Sequence, residues 1–161
     1  MRVVIQRVHQ ASVTVGEEVI SSIGRGLCVL VGIHKNDTQA DVDFIVRKIL
    51  NTRLFEDGNG KRWQLGVKDA GLEVLTVSQF TLYCELKGNK PDYRHAMSGE
   101  AAQQFYENFV ARLQTQYKSD RIFDGKFGAM MQVTIQNDGP VTINIDSPQR
   151  KTDQPVDNTQ G

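Results

Sequence analysis

The sequence lacks any apolar run long enough to cross a membrane. Its longest, Leu27 to Ile33, contains a glycine and has the length of a strand, whereas a span needs about 18 apolar residues. Cysteine is scarce: Cys28 and Cys84 are the only two, too few for a disulfide framework. The three histidines, His9, His34 and His95, share no ligand spacing with them, so neither a metal nor any other cofactor is expected. There is no Walker loop, no Gly-x-Gly-x-x-Gly, no Gly-x-Ser-x-Gly and no His-Glu-x-x-His. A Cys84–His95 dyad is conceivable, but nothing local supports an activated thiol. An excess of charge is also missing. Lys+Arg and Asp+Glu both number 19, giving a net charge of zero. That excludes a protein that holds nucleic acid by bulk charge: DNA binding and membrane binding are not expected, and any RNA contact must be local. The N-terminal residues show no signal-peptide pattern. Together these absences predict a reduced, cytoplasmic protein.

What is present is an ordinary globular composition, 39% hydrophobic and 24% charged over 161 residues. A chain of that length buries roughly 70% of its unfolded surface. Residues 2–8 and 11–15 read as two β-branched strands around a His9-Gln10 break, followed by strands at 19–23 and 27–33. Leu27 to Val31 is apolar on both faces, which marks a central strand. Val42, Ile45, Val46, Ile49 and Leu50 then fall on one face of a helix, with Asp37 or Thr38 to cap it and Asp41 in its first turn. Arg53 to Glu56 suggests a short strand, Asp57 to Gly60 a turn, Leu72 to Tyr83 a longer strand, and Glu85 to Met97 a polar loop. Ser98 opens a second helix whose face carries Ala102, Phe105, Tyr106, Phe109, Val110 and Leu113. Strands at 127–135 and 141–145 surround Asn137-Asp138-Gly139-Pro140. The pattern is α+β: compact, mixed, mostly antiparallel β-structure with barrel-like sheets and two packing helices, over residues 1–146. The polar segment 147–161 is expected to be a disordered tail.

Two segments carry chemistry. In Ser78-Gln79-Phe80-Thr81-Leu82, strand alternation places Ser78, Phe80 and Leu82 on one face and Gln79 and Thr81 on the other; a solvated strand face is the plain alternative. Asn137-Asp138-Gly139-Pro140-Val141-Thr142 has the composition of a hairpin turn. Yet Gly-Pro is unusual there, because proline donates no ladder hydrogen bond. Together the two segments resemble the Ser-Gln-x-Thr and Asn-x-Gly-Pro-Val-Thr motifs of the D-aminoacyl-tRNA deacylase family, also called D-tyrosyl-tRNA deacylase. Ile5-Gln6-Arg7-Val8, Ala11 to Val15, the Gly88/Pro91 loop and the Phe127, Ala129, Met131 approach are similar too. The resemblance runs from Met1 to about Asp146.

That resemblance implies a homodimeric editing enzyme with the family's fold. Such an enzyme hydrolyses the ester between a D-amino acid and the 3′ end of an aminoacyl-tRNA, and acts on glycyl-tRNA for alanine as well. It implies active sites at the dimer interface. Ser78, Gln79, Phe80 and Thr81 of one subunit line the pocket, and a cis Gly139-Pro140 pair of the other rejects L-residues. Asn137, Val141, Thr142 and Arg7 support that pair. Two routes to hydrolysis stay open. Thr81 attacks, or the ribose 2′-hydroxyl of the substrate activates water while the protein positions it; the second is favoured because neither motif holds a general base. Gln79 then orients, and Phe80 packs near the adenine or supports the strand. Lys87, Lys90 and Arg94 are candidates for phosphate contacts. The rival readings are a non-catalytic module that binds RNA ends or D-amino acids, a related branch with a trans Gly-Pro that removes small L-residues, and a purely structural dimer.

Overall fold

The computed structural model describes residues 1–148. Its organising element is β1 (Arg2–Val15). One edge of β1 is shared by two neighbours. Arg2 to Val8 pair antiparallel with β3 (Gly26–Gly32), and Ala11 to Val15 pair antiparallel with β2 (Glu18–Ile23). The other edge is taken along most of its length by β8 (Gln132–Asp146), from Arg2↔Asp146 to Thr14↔Gln132. Beyond β3 the sheet continues in parallel with β4 (Glu73–Ser78) and β7 (Ile122–Asp124). The Ser21 hydroxyl of β2 donates to the carbonyl of Asp124 in β7, so the sheet curls back on itself as a nearly closed barrel. The parallel strands are joined by the helices α1 (Gln39–Asn51) and α2 (Gly99–Gln116). A two-stranded hairpin, β5 (Glu85–Lys87) with β6 (Lys90–Asp92), stands apart from the sheet.

The helices follow the sequence reading. Thr38 is the N-cap of α1, its N–H donating to Asp41 Oδ2 at 2.8 Å, and Val42, Ile45, Val46, Ile49 and Leu50 are buried. Ala102, Tyr106, Phe109 and Leu113 of α2 are buried, with Phe105 and Val110 packed beside them. Central placement of β3 is also as expected: Leu27, Val29 and Val31 join the core beneath the helices, while Cys28 joins a second core inside the curl with Val8, Val13, Leu75 and Val77. Burial pushes the Cys28 thiol up to about 11, as expected for a thiol with no charge partner. Gly26 is demanded by close approach, since a Cβ there would stand 1.9 Å from the Glu73 carbonyl oxygen.

Five expectations are corrected. Residues 2–15 form one strand rather than two, because His9-Gln10 is a register irregularity against β8. The run from Leu72 ends as a strand at Ser78 and becomes a 3-10 turn over Phe80–Tyr83. Residues 127–131 are loop, and 132–146 are a single strand instead of a hairpin around Asn137 to Pro140. Arg53 to Glu56 makes only an isolated bridge, Phe55 to Leu65. Ser147, taken as the first tail residue, is buried, with its hydroxyl 2.7 Å from both the Met1 ammonium and Asp41 Oδ1. The rest of the predicted tail, from residue 149 on, lies outside the described residues.

One buried polar cluster ties α2 to the sheet. The Tyr106 hydroxyl donates to Asp124 Oδ1 at 2.5 Å and lies 2.9 Å from Thr76 Oγ1. Burial raises the Asp124 carboxyl, and the bond from Tyr106 partly offsets this. A carboxyl raised in the folded state favours folding at low pH, and that contribution is lost as pH rises through its folded value. Tyr106→Phe removes the donor and is expected to cost about 1–3 kcal/mol. Denaturation of both proteins at pH 7 and pH 4 should show the larger difference at pH 7, where Asp124 must ionise without its partner.

Candidate functional site

The first motif sits where β4 ends. Ser78 pairs with Val31 as the last residue of the strand. Gln79 then turns away (φ −143, ψ 80) while its N–H donates to the Val31 carbonyl at 2.8 Å. A 3-10 turn has three residues per turn, so the alternation expected for Ser78 to Leu82 is lost. Gly32 lets this turn lie flat against β3, since a Cβ there would meet Leu82 Cβ at 3.0 Å. The Gln79 side-chain amide donates to Thr81 Oγ1. An amide N–H is a donor and not a base, so this contact fixes the Thr81 hydroxyl without activating it. The Phe80 ring is 54% exposed and stands edge-on to Tyr93, with centroids 5.0 Å apart.

Ser78, Gln79 and Phe80 line a cavity of about 640 Å³; Thr81 does not. Its floor is Val31, Ile33 and Val77, and its far wall comes from Met97, Ala102 and the 127–131 loop. The sequence signal for Phe127, Ala129 and Met131 lay in the motif approach, and the structure shows these residues as cavity wall. Tyr93 was missed because nothing in its polar loop marks it out. The cavity is walled mainly by apolar groups, with a few polar ones, Ser78, Gln79, Tyr93 and Ser98, which suits a small organic ligand.

The second motif is built differently. β8 stays paired with β1 on both sides of it, with register shifts between Gln6 and Val8 and between Val8 and Gln10. Asn137 bridges the irregularity: its Nδ2 donates to the carbonyls of Arg7 (2.9 Å) and Val141 (3.0 Å), and its Oδ1 accepts from Thr142 Oγ1 (3.1 Å). Arg7 Nη1 donates to the Leu54 carbonyl at 2.8 Å, and Arg7 Nε lies 3.2 Å from Asp138 Oδ2. The Gly139–Pro140 peptide is cis. Gly139 has φ +117, and a Cβ on it would stand 3.0 Å from Val141 Cγ2 and 3.2 Å from Val141 N, so only glycine fits without strain. Both residues are exposed and neither lines the cavity. Strands β1 and β3 lie between β8 and β4, so a single chain does not bring the two motifs together.

The hairpin cations are engaged locally. Lys87 pairs with Asp92 at 3.1 Å, and Arg94 pairs with Glu85 at 2.7 Å and Asp92 at 3.7 Å. Those partners hold the Glu85 carboxyl below the usual range; Asp92 is lowered first by the Arg94 backbone N–H, then by Lys87. The Cys84 thiol points to the Glu85 carbonyl at 3.7 Å, while His95 Nε2 faces Glu85 Oε1 at 3.2 Å, so no Cys84–His95 dyad forms. Among the described residues no cluster of three or more His, Cys, Asp or Glu is placed to hold a metal, and no helix is long and apolar enough to cross a membrane.

A family model described as D-Tyr-tRNA(Tyr) deacylase matches residues 4–146. The D-aminoacyl-tRNA deacylase 1 of Danio rerio is 65% identical over 153 residues, covering 95% of this chain and 74% of that protein. The D-aminoacyl-tRNA deacylase of Drosophila melanogaster is 63% identical, covering 98% of this chain and 99% of that one. A solved structure described as a "c-Myc DNA Unwinding Element Binding Protein" superposes with a TM-score of 0.90 at 58% identity, over 92% of this chain and 100% of that chain. Another, of a "probable eukaryotic D-amino acid tRNA deacylase", gives 0.80 at 17% identity over 91% and 98%, a likeness of fold.

Asn137 is the local test of the second motif. Asn137→Ala leaves two carbonyls and one hydroxyl without their partner and is expected to destabilise the fold by about 1–3 kcal/mol. The midpoint of urea unfolding, with an unchanged slope, measures it.

Proposed function

This chain belongs to the D-Tyr-tRNA(Tyr) deacylase family, and from that premise we propose that it hydrolyses the ester joining a D-amino acid to the 3′-terminal adenosine of tRNA. The observation that carries the reading is the Ser78–Phe80 segment at the end of β4: it lines a cavity of about 640 Å³ with mainly apolar walls, in a chain that keeps both family motifs. The enzyme is a hydrolase of ester bonds that needs no resident cofactor in this scheme.

Ester hydrolysis needs a water aimed at the carbonyl and donors for the developing oxyanion. The strand-to-turn switch supplies the donors: the amides of Phe80 and Thr81 open a helical turn, where N–H groups have no acceptor within the turn. Thr81 Oγ1 receives a hydrogen bond and faces no base, which argues against it as nucleophile. The ribose 2′-hydroxyl of the substrate, adjacent to the ester, activates the water instead, and the protein contributes position. Gln79 orients the turn through Thr81, and Phe80, exposed at the cavity mouth, packs near the adenine.

Chiral selection falls to Gly139 and Pro140. Their carbonyls hold the α-ammonium, so that a D-side chain points to open space and an L-side chain meets backbone. A backbone wall works for any side chain, and glycine, with none to reject, is a further substrate, as glycyl-tRNA for alanine. Because Gly139 and Pro140 lie away from the cavity of their own chain, the reading requires a homodimer in which each copy completes the other's site. Asn137, Val141, Thr142 and Arg7 brace that element. Lys90 is the hairpin cation we assign to tRNA phosphate, since Lys87 and Arg94 are paired. The DNA-element name of one similar structure raises a nucleic-acid-binding alternative, but a net charge of zero does not favour it.

Two outcomes are expected. Purified protein releases D-tyrosine from D-tyrosyl-tRNA and leaves L-tyrosyl-tRNA intact; binding of both without turnover would instead mark a binding module. In single-turnover assays Thr81→Ala stays within about tenfold of the parent, whereas a 3′-terminal 2′-deoxyadenosine slows release by at least about 100-fold, the scale of a lost general base. The reverse pattern would assign the attack to Thr81.

A further inference from the structure

Trp63 is the sole tryptophan of the chain and is 52% exposed. Among the described residues it is also the only non-glycine residue with positive φ, at 61°. Bulky residues persist there only where their surroundings enforce it, and such strain gathers at functional elements. The enforcement is visible. Phe55 and Leu65 exchange backbone hydrogen bonds of 3.0 and 2.9 Å, closing the loop between them, and Gln64 Nε2 donates to the carbonyls of Arg62 (3.1 Å) and Trp63 (3.2 Å). The loop so built places the indole against the Arg7 guanidinium, 5.8 Å from ring centroid to Cζ.

Arg7 needs that surface. Its side chain is mostly buried, and its Nε, though 3.2 Å from Asp138 Oδ2, has no aligned hydrogen-bond acceptor. Among the described residues only Nη1, on the Leu54 carbonyl, makes a directional bond. A ring face beside the guanidinium restrains its plane further than one directional hydrogen bond and an unaligned ion pair do. The same guanidinium also meets the second motif, with Nη2 3.4 Å from where a Cβ on Gly139 would stand.

We infer that Trp63 is a positioning residue for stereochemical selection: its indole fixes the plane of Arg7, and Arg7 fixes the aim of Asp138-Gly139-Pro140. This rests on the reading of Gly139 and Pro140 as the chiral filter. The Trp63 loop and the motif are distant in sequence, and Arg7 touches both.

The test compares Trp63→Ala, Trp63→Phe and Trp63→Asn in the full-length chain, with melting temperature and rates on D- and L-tyrosyl-tRNA measured for each. Asn tolerates positive φ, so Trp63→Asn removes the ring without adding backbone strain. A guanidinium–indole contact is worth a factor of a few up to about thirty. Trp63→Ala and Trp63→Asn are therefore expected to raise the L-rate relative to the D-rate by about tenfold, with Trp63→Phe restoring the parent ratio to within about threefold. A purely structural residue would lower both rates together, or the melting temperature, and leave the ratio unchanged; that result overturns the inference. Gly139→Ala separates the two levels. If it alters the ratio and the Trp63 variants do not, Trp63 has no positioning role. If it too leaves the ratio unchanged, the filter reading falls and this inference with it.

Discussion

The register irregularity of β1 at His9-Gln10 governs the architecture. Before it, Val3 and Ile5 face the helices; after it, Ala11 and Val13 face the inside of the curl, although all four are odd-numbered. A strict period of two would put all four on one side. A bulge inserts the extra residue that flips the set and sharpens the twist. The flip lets one strand serve β3 at one end and β2 at the other, which is what rolls the sheet. A second irregularity adjoins it: between Gln6 and Val8 the extra residues lie in β8, where Asn137 to Thr142 span two residues of β1, and Asn137 ties the excursion down through the carbonyls of Arg7 and Val141. Fold and candidate filter thus depend on two adjacent irregularities of the same strand pair.

The two motifs are rigid for opposite reasons. Gln79 to Tyr83 is fixed by leaving a buried parallel strand abruptly: the N–H of Gln79 is still tied to Val31, and the turn lies against Gly32. Gly139 and Pro140 are exposed, and the segment from Asp138 is held by side chains instead, through Asn137 and Arg7. A backbone turn suits oxyanion donors, whose direction must not vary. An exposed element braced from behind suits a group that enters another molecule's cavity.

Much of this was legible from residue spacing. Both helices announced themselves by 3.6-residue periodicity, and β3 by apolarity on both faces, because burial acts on side chains and leaves a direct trace. The misreadings share a cause. At Ser78 to Leu82 the pattern still alternates, but the backbone obeys the end of the sheet. At Asn137 to Pro140 turn residues occur inside a continuous strand, because the partner across the gap, Arg7, lies far away in sequence. Ser147 is polar and reads as tail, yet it bonds Met1 and Asp41 from the opposite end of the chain. Trp63 carried no signal at all: an isolated aromatic in a charged loop gains meaning only beside Arg7.

Charge is spent locally across the molecule. Arg2 pairs with Asp146, Arg94 with Glu85, Lys87 with Asp92 and Arg112 with Asp43. Exposed pairs of this kind add little stability, but they leave no broad field to steer a polyanion. On the proposed function, recognition of tRNA then rests on a few local contacts and on shape at the acceptor end. That agrees with a cavity of mainly apolar walls and with the proposed filter of backbone atoms, both indifferent to the identity of the side chain presented. The proposed mechanism likewise asks for no strongly activated side chain. Where the substrate brings its own hydroxyl next to the scissile ester, the protein's remaining task is geometric, and geometry is what Gln79, Arg7 and Asn137 each supply.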